Sequence, residues 1–131
     1  MLIYRTFSEL LADWSRSSAP ALLFGDPISS ISYSELAGLI RQEAEKIRNE
    51  KAVRRLIVTD HEVRTIVAII ACAIAGCDMA LADESLSDRT LAAVTKAVCP
   101  DSIHCSDRDL YEYLCENLPA RQHVSALPHK K

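Results

Sequence analysis

The side chains best equipped for chemistry gather in the last third of this chain. His104 and Cys105 stand side by side, with Cys99 before them and Cys115 after. Thiolates and imidazoles are the usual ligands of zinc, so a metal cluster is one reading. The spacing, however, contains none of the short Cys-x₂₋₄-Cys pairs that close such sites. Small buried hydrophobes plus one strand histidine is the better account, and Cys72, inside an apolar stretch, reads as packing. A nucleophile reading would pair Cys105 or a serine with His61, His104 or His123. No Gly-x-Ser-x-Gly elbow exists to present a serine, and distance along the chain does not establish proximity. Asp60-His61-Glu62 follows a strand-like run, at the end where open α/β sheets bind ligands. Thr59 and Glu62 also have the spacing of a helix cap, and that structural role is preferred. No residue is assigned as catalytic, cofactor-binding or metal-ligating.

Phosphate chemistry needs clustered glycines, so that several backbone amides can turn toward one anion. Only Gly25, Gly38 and Gly76 occur, far apart, and neither GxxxxGK[ST] nor GxGxxG is present. A dinucleotide fold of the fingerprint type is therefore not expected. The net charge of -3 offers no basic stripe for nucleic acid. The longest apolar run, Ile66 to Cys77, falls well short of the roughly 20 residues a bilayer span requires. Five cysteines, an odd number set within periodic segments, fit a reduced cytoplasmic setting better than a disulfide scaffold.

The elements that must position these groups are legible in the capping pattern and the apolar periods. Ser or Thr followed three residues later by an acid, the capping-box spacing, occurs at Thr6–Glu9, Ser32–Glu35, Thr59–Glu62, Ser85–Asp88 and Ser106–Asp109. Each precedes an apolar period, which predicts five helices. In the second, Leu36, Leu39, Ile40, Ala44 and Ile47 form one face, leaving Arg41, Glu45 and Arg48 to water. In the third, Val63 and then Ile66 to Ala75 are apolar all round, so that helix should be covered on most sides, with Gly76 as its left-handed stop. In the first, Trp14 with Leu10 and Leu11 anchors the helix. Strand-like runs lie between: Ala21 to Phe24 and Ile28 to Ser32 around a Gly25-Asp26-Pro27 turn, then Leu56 to Val58, Met79 to Leu81 and Ser102 to Cys105. From about residue 55 the alternation of strand and helix implies crossovers and a parallel sheet. The Arg54-Arg55 pair reads as a solvated strand entrance. The expected fold is α/β, a three-layer-like parallel sheet with flanking helices and an N-terminal β-hairpin, over residues 1–118, with 119–131 as a tail or linker.

Several of these segments, in order, resemble the opening portion of adenylate-forming enzymes, the superfamily of acyl-CoA synthetases, other AMP-dependent acid ligases and peptide-synthetase adenylation domains. Ile31-Ser32-Tyr33-Ser34-Glu35-Leu36 resembles the family's (L/I)-T-Y-x-E-L segment, and Ala21 to Asp26 its preceding A-L-x-x-G strand. Leu56-Ile57-Val58 is similar to its V-x-V strand, and His61 to Ala75 to its apolar helix. Ala75-Gly76-Cys77-Asp78-Met79-Ala80-Leu81-Ala82-Asp83 resembles A-G-A-x-Y-V-P-L-D, with Leu81 where the family has proline. Ser87 to Val98, with Arg89, is similar to the following P-x-x-R-L helix, Ser87 replacing its proline, and Ser102 to Cys105 is similar to the next strand.

The resemblance spans residues 6 to 107 but only the first part of such an enzyme. It implies a parent that activates a carboxylic acid with ATP and Mg, forms an acyl-adenylate and passes the acyl group to a thiol. The family's Ser/Thr-Gly-rich phosphate loop, aromatic-Gly-x-Thr-Glu segment, ribose-binding aspartate and catalytic lysine have no counterpart among these 131 residues. No cofactor is therefore expected on this chain alone. The expected partner is the remainder of a ligase or a second copy, with no nucleic acid and no membrane. A stand-alone interaction or regulatory module descended from that subdomain is the alternative.

Overall fold

The computed structural model describes residues 6–24 and 29–118. Along the chain it places α1 (Phe7–Trp14), β1 (Pro20–Phe24), β2 (Ser29–Ser32), α2 (Tyr33–Glu50), β3 (Arg54–Thr59), α3 (Val63–Ala75), β4 (Asp78–Asp83), α4 (Asp88–Val98), β5 (Ser102–His104) and α5 (Arg108–Cys115). The fold is α/β, as the alternation predicts. A two-stranded antiparallel ribbon pairs β1 with β2, and a parallel sheet runs in the order β4-β3-β5. The expected Gly25-Asp26-Pro27 turn and the 119–131 tail lie outside the described residues.

Strand β3 occupies the centre and is buried on both sides, the usual state of a parallel strand. Its alternating side chains divide the core. Ile57 points into a cluster with Leu36, Ile40, Ile47, Ala68 and Cys72, under α2 and α3. Leu56 and Val58 point the other way, with Ile103, Leu91, Tyr111 and Leu114, under α4 and α5. Helices thus cover both faces, α3 making the crossover on one and α4 on the other. Leu11 and the half-buried Trp14 join the first cluster, and the Trp14 ring packs on Tyr33 at 5.3 Å between centroids.

All five helices form, but their starts correct the expected caps. Thr6 accepts a hydrogen bond from the Glu9 amide, and Ser32 makes the full reciprocal box with Glu35. The third helix begins after Glu62, not at Thr59, because Thr59 is still in the ladder opposite Asp83. Asp60 instead accepts from the Glu62 amide at 2.9 Å and from Thr65 Oγ1 at 2.6 Å, which organises the turn into α3. The fourth begins at Ser87, which accepts from the Thr90 amide, while Ser85 donates to Asp83. The fifth begins at Asp107, which accepts from the Leu110 amide, one residue beyond Ser106. Asp, Ser and Thr all cap well, so the spacing rule locates the neighbourhood and tertiary pairing selects the residue.

Two further expectations change, and one holds. Leu39 is 41 % exposed, and Ala37 takes its place on the buried face of α2. The α3 helix ends at Gly76 in the left-handed conformation and is covered on most sides, as expected, with Val67, Ala68, Ala71 and Cys72 buried and only Arg64, Ile66 and Ala73 exposed. Arg55 is no solvated entrance. It is completely buried, while Arg54 stays exposed, because strand alternation turns the two to opposite sides.

Candidate functional site

The buried Arg55 guanidinium is paired with Glu43, a residue that lines a concave feature of the structure. Its Nη1 lies 2.7 Å from Glu43 Oε2 on α2, and its Nε donates to Ser102 Oγ on β5 at 3.1 Å. A cation removed from water demands such a partner, since an uncompensated buried charge costs several kcal/mol. The pairing ties β3, β5 and α2 together at one point. The sequence signal for it is an arginine inside an apolar strand, a pattern easily taken for a strand entrance.

Above this pair, a cleft of about 690 Å³ opens at the carboxyl end of β5. One wall is a stripe of α2 formed by Leu39, Gln42, Glu43 and Lys46, which recur at helical spacing. The opposite wall includes Arg108 and Tyr111 of α5, a helix on the other face of the sheet. His104, Cys105 and Ser106 lie between them, and Arg64 of α3 closes the end near the carboxyl termini of the strands. The cleft thus lies over the carboxyl end of β5, an edge strand of the parallel sheet, where the first turns of α3 and α5 begin.

The residues singled out by their chemistry are partly brought together here, in a geometry that does not suit catalysis. His104 Nε2 is buried with no hydrogen-bond partner among the described residues. Burial, reinforced by the Arg55 cation, pushes the imidazole down to about 4, so it is neutral near pH 7 and a weak base. Burial tends to raise the pKa of Asp60, but hydrogen bonds from Thr65, the Glu62 amide and Ser106 outweigh it and hold the carboxyl below its ordinary value. Ser106 thus bonds the carboxylate directly, whereas a triad requires the imidazole between them. Burial pushes the Cys105 thiol up to about 11, away from the thiolate a nucleophile needs. His61 is exposed, and His123 lies outside the described residues.

The remaining cysteines disperse. Cys99 caps the C-terminus of α4 in the left-handed region, and Cys115 is the last residue of α5. Cys72 is fully buried as packing, as expected. All five are free thiols, and no group of three or more His, Cys, Asp or Glu among the described residues could hold a metal ion. Of the glycines, Gly38 sits within α2 and Gly76 caps α3, so neither belongs to a loop that could turn amides toward a phosphate. The residues described do not fit an ATP phosphate cradle. No helix among them is long and apolar enough to cross a membrane.

No family model matches the sequence, and no curated protein matches it. Solved structures do match in fold. An ATP-bound MatB from Rhodopseudomonas palustris superposes with a TM-score of 0.67 at 18 % identity, over 87 % of this chain and 24 % of its own. VinN gives 0.69 at 16 % identity, over 96 % of this chain and 37 % of its own. A luciferase-like enzyme from the nonluminescent mealworm Zophobas morio gives 0.68 at 19 %, over 85 % of this chain and 28 % of its own. At these identities the likeness is one of fold. The neighbours are adenylate-forming enzymes, and the chain spans between about a quarter and somewhat over a third of their lengths.

Proposed function

We propose that this chain acts as the N-terminal subdomain of an ATP-dependent acyl-acid ligase of the adenylate-forming kind, without catalytic activity of its own. The observation that carries this reading is the asymmetry of the superpositions. Nearly all of this chain, 85 to 96 %, maps onto only 24 to 37 % of each of the three neighbours described. The internal chemistry agrees. The described residues supply neither a phosphate cradle nor an activated nucleophile, and His104 is neutral and buried. In this reading the chain contributes a scaffold to the ligase, and activation of the carboxylic acid and its transfer to a thiol depend on residues outside these 131.

The test is affinity purification of the native protein from its source cells, with mass spectrometry of the co-purifying chains. The expected result is a stoichiometric partner with a Ser/Thr-Gly-rich phosphate loop and a catalytic lysine. Pyrophosphate exchange should then appear in the complex and be absent from this chain alone. Recovery of the chain alone, or with unrelated proteins, would favour a repurposed interaction or regulatory module instead. Exchange by the isolated 131 residues would refute both.

A further inference from the structure

Two of the five free thiols meet where α3 ends. The Cys77 amide donates to the Cys72 carbonyl at 2.9 Å, the six-to-one bond of a Schellman turn, and Gly76 between them is left-handed with φ of 74°. In such a turn the side chains of the two bonded residues come into contact, ordinarily as an apolar pair. Here both are cysteines. They belong to one core cluster, with Cys72 at 0 % and Cys77 at 5 % exposure, and the two thiols are hydrogen-bonded to each other.

A disulfide requires side chains directed at each other and Cα atoms roughly 4.4–6.8 Å apart. A turn closed by a six-to-one hydrogen bond brings its two ends together, and Gly76, with open space where a Cβ would stand, lets the backbone between them adjust. Cys77 also directly precedes β4, whose first residue, Asp78, donates its amide to the Val53 carbonyl at 2.9 Å. A bond across the turn therefore ties the end of α3 to the start of that strand. Burial raises the pKa of Cys72 against the opposing pull of the Arg55 guanidinium, which hydrogen-bonds its sulfur, and pushes the Cys77 thiol up to about 12. At neutral pH the resting pair is thus a dithiol, and it reacts slowly.

We infer that Cys72 and Cys77 form an oxidation site, a buried dithiol that sustained exposure to a peroxide closes to an intramolecular disulfide and an external thiol reopens. Cys77, the less deeply buried of the two, meets the oxidant first. Its thiolate attacks one peroxide oxygen, the O–O bond breaks, and the hydroxide released takes up the thiol's proton as water, leaving a sulfenic acid. The Cys72 sulfur then attacks that sulfur, the S–O bond breaks, and the second hydroxide leaves with the Cys72 proton as water. Two thiols and one peroxide give one disulfide and two waters. The site serves in this way whether or not the chain belongs to a ligase.

The test exposes the reduced, folded full chain to hydrogen peroxide overnight, alkylates the remaining thiols in urea with N-ethylmaleimide, and digests with trypsin. Cleavage after Arg64 and Arg89 releases residues 65–89, which hold Cys72 and Cys77 and no other cysteine. The expected product is that peptide without reagent and lighter by two hydrogens, returned to two alkylated thiols when dithiothreitol precedes the alkylation. The oxidised chain should keep its circular dichroism and unfold at a midpoint several degrees higher, because the bond constrains the unfolded state. Cys77→Ala, a small residue at a nearly buried position, should leave Cys72 alkylated after the same treatment. Two alkylated thiols in peptide 65–89 after overnight exposure overturn the inference. So does a bridge to Cys99, Cys105 or Cys115, a bridge between two copies, or closure that occurs only when the peroxide is added in urea. Oxidation to a sulfinic acid without closure, or a lowered thermal midpoint, shows that the fold does not accommodate the bond and overturns it equally.

Discussion

Arg55 shows how one side chain can organise three elements. With its guanidinium fully buried, Glu43 is its counter-charge and Ser102 an acceptor on the neighbouring strand. Glu43→Ala should lower stability by about 2 kcal/mol, because it removes the ion-pair partner of a buried cation, although the Glu50 carboxyl also attracts Arg55. The double variant Glu43→Leu with Arg55→Met should recover most of that loss, measured by urea unfolding; a loss no smaller than that of Glu43→Ala would show that packing, not charge, dominates. His104 carries a second, pH-dependent contribution. Its pKa is about 4 in the fold, below the ordinary 6.5, so the unfolded chain binds more protons between those values. Stability from this group is fully present above about pH 6.5 and is lost as pH falls toward 4. From about pH 7.5 to pH 5 the loss should be roughly 2 kcal/mol, and His104→Gln should remove it from the difference between the two pH values. An unchanged pH dependence in that variant would mean that the imidazole is solvated.

Helix ends were the elements on which sequence reasoning was most informative and least accurate. Five helices follow from five capping patterns, yet three of the starts move by one to three residues. The move has a common cause. Thr59, Ser85 and Ser106 are each engaged elsewhere, in the β3 ladder, with Asp83, or with Asp60, which leaves the next suitable residue to begin the helix. At the C-terminal ends the chain uses glycine once and a side-chain-bearing residue twice. Gly76 has φ of 74° in open space, so Gly76→Ala should cost about 1 kcal/mol from backbone strain alone. Lys51 occupies the same region, φ 57°, with a Cβ, and Lys51→Gly should gain about 0.5 kcal/mol. Thermal midpoints of the two variants should therefore move in opposite directions.

At the scale of the molecule, two clusters are separated by a three-stranded sheet and joined only through β3 and its neighbours. Whether they melt as one unit is a property of that sheet. Leu91 is fully buried in the α4 and α5 cluster, whereas Trp14 packs against the other. Leu91→Ala should cost 2–5 kcal/mol and shift the Trp14 fluorescence transition by the same amount as the circular dichroism transition, if the domain is two-state. Separate transitions would identify the sheet as a weak coupling. A unit of this size buries a modest share of its surface, and the large apolar side chains Leu81 and Ile66 remain exposed, so its stability should be marginal.

Period and punctuation carried most of the fold. Apolar spacing gives the helical faces, β-rich runs give the strands, and their alternation implies parallel pairing, because these are local consequences of backbone geometry. The scarcity of glycine likewise ruled against a phosphate loop of the usual kind. Burial of Arg55 and the withdrawal of His104 from solvent were not legible, since both depend on which strands become neighbours: Arg55 needs Glu43, twelve residues away, and Ser102, forty-seven away. The cleft at the carboxyl end of β5 is less local still, since it brings together residues of α2, α3 and α5 that are remote in sequence.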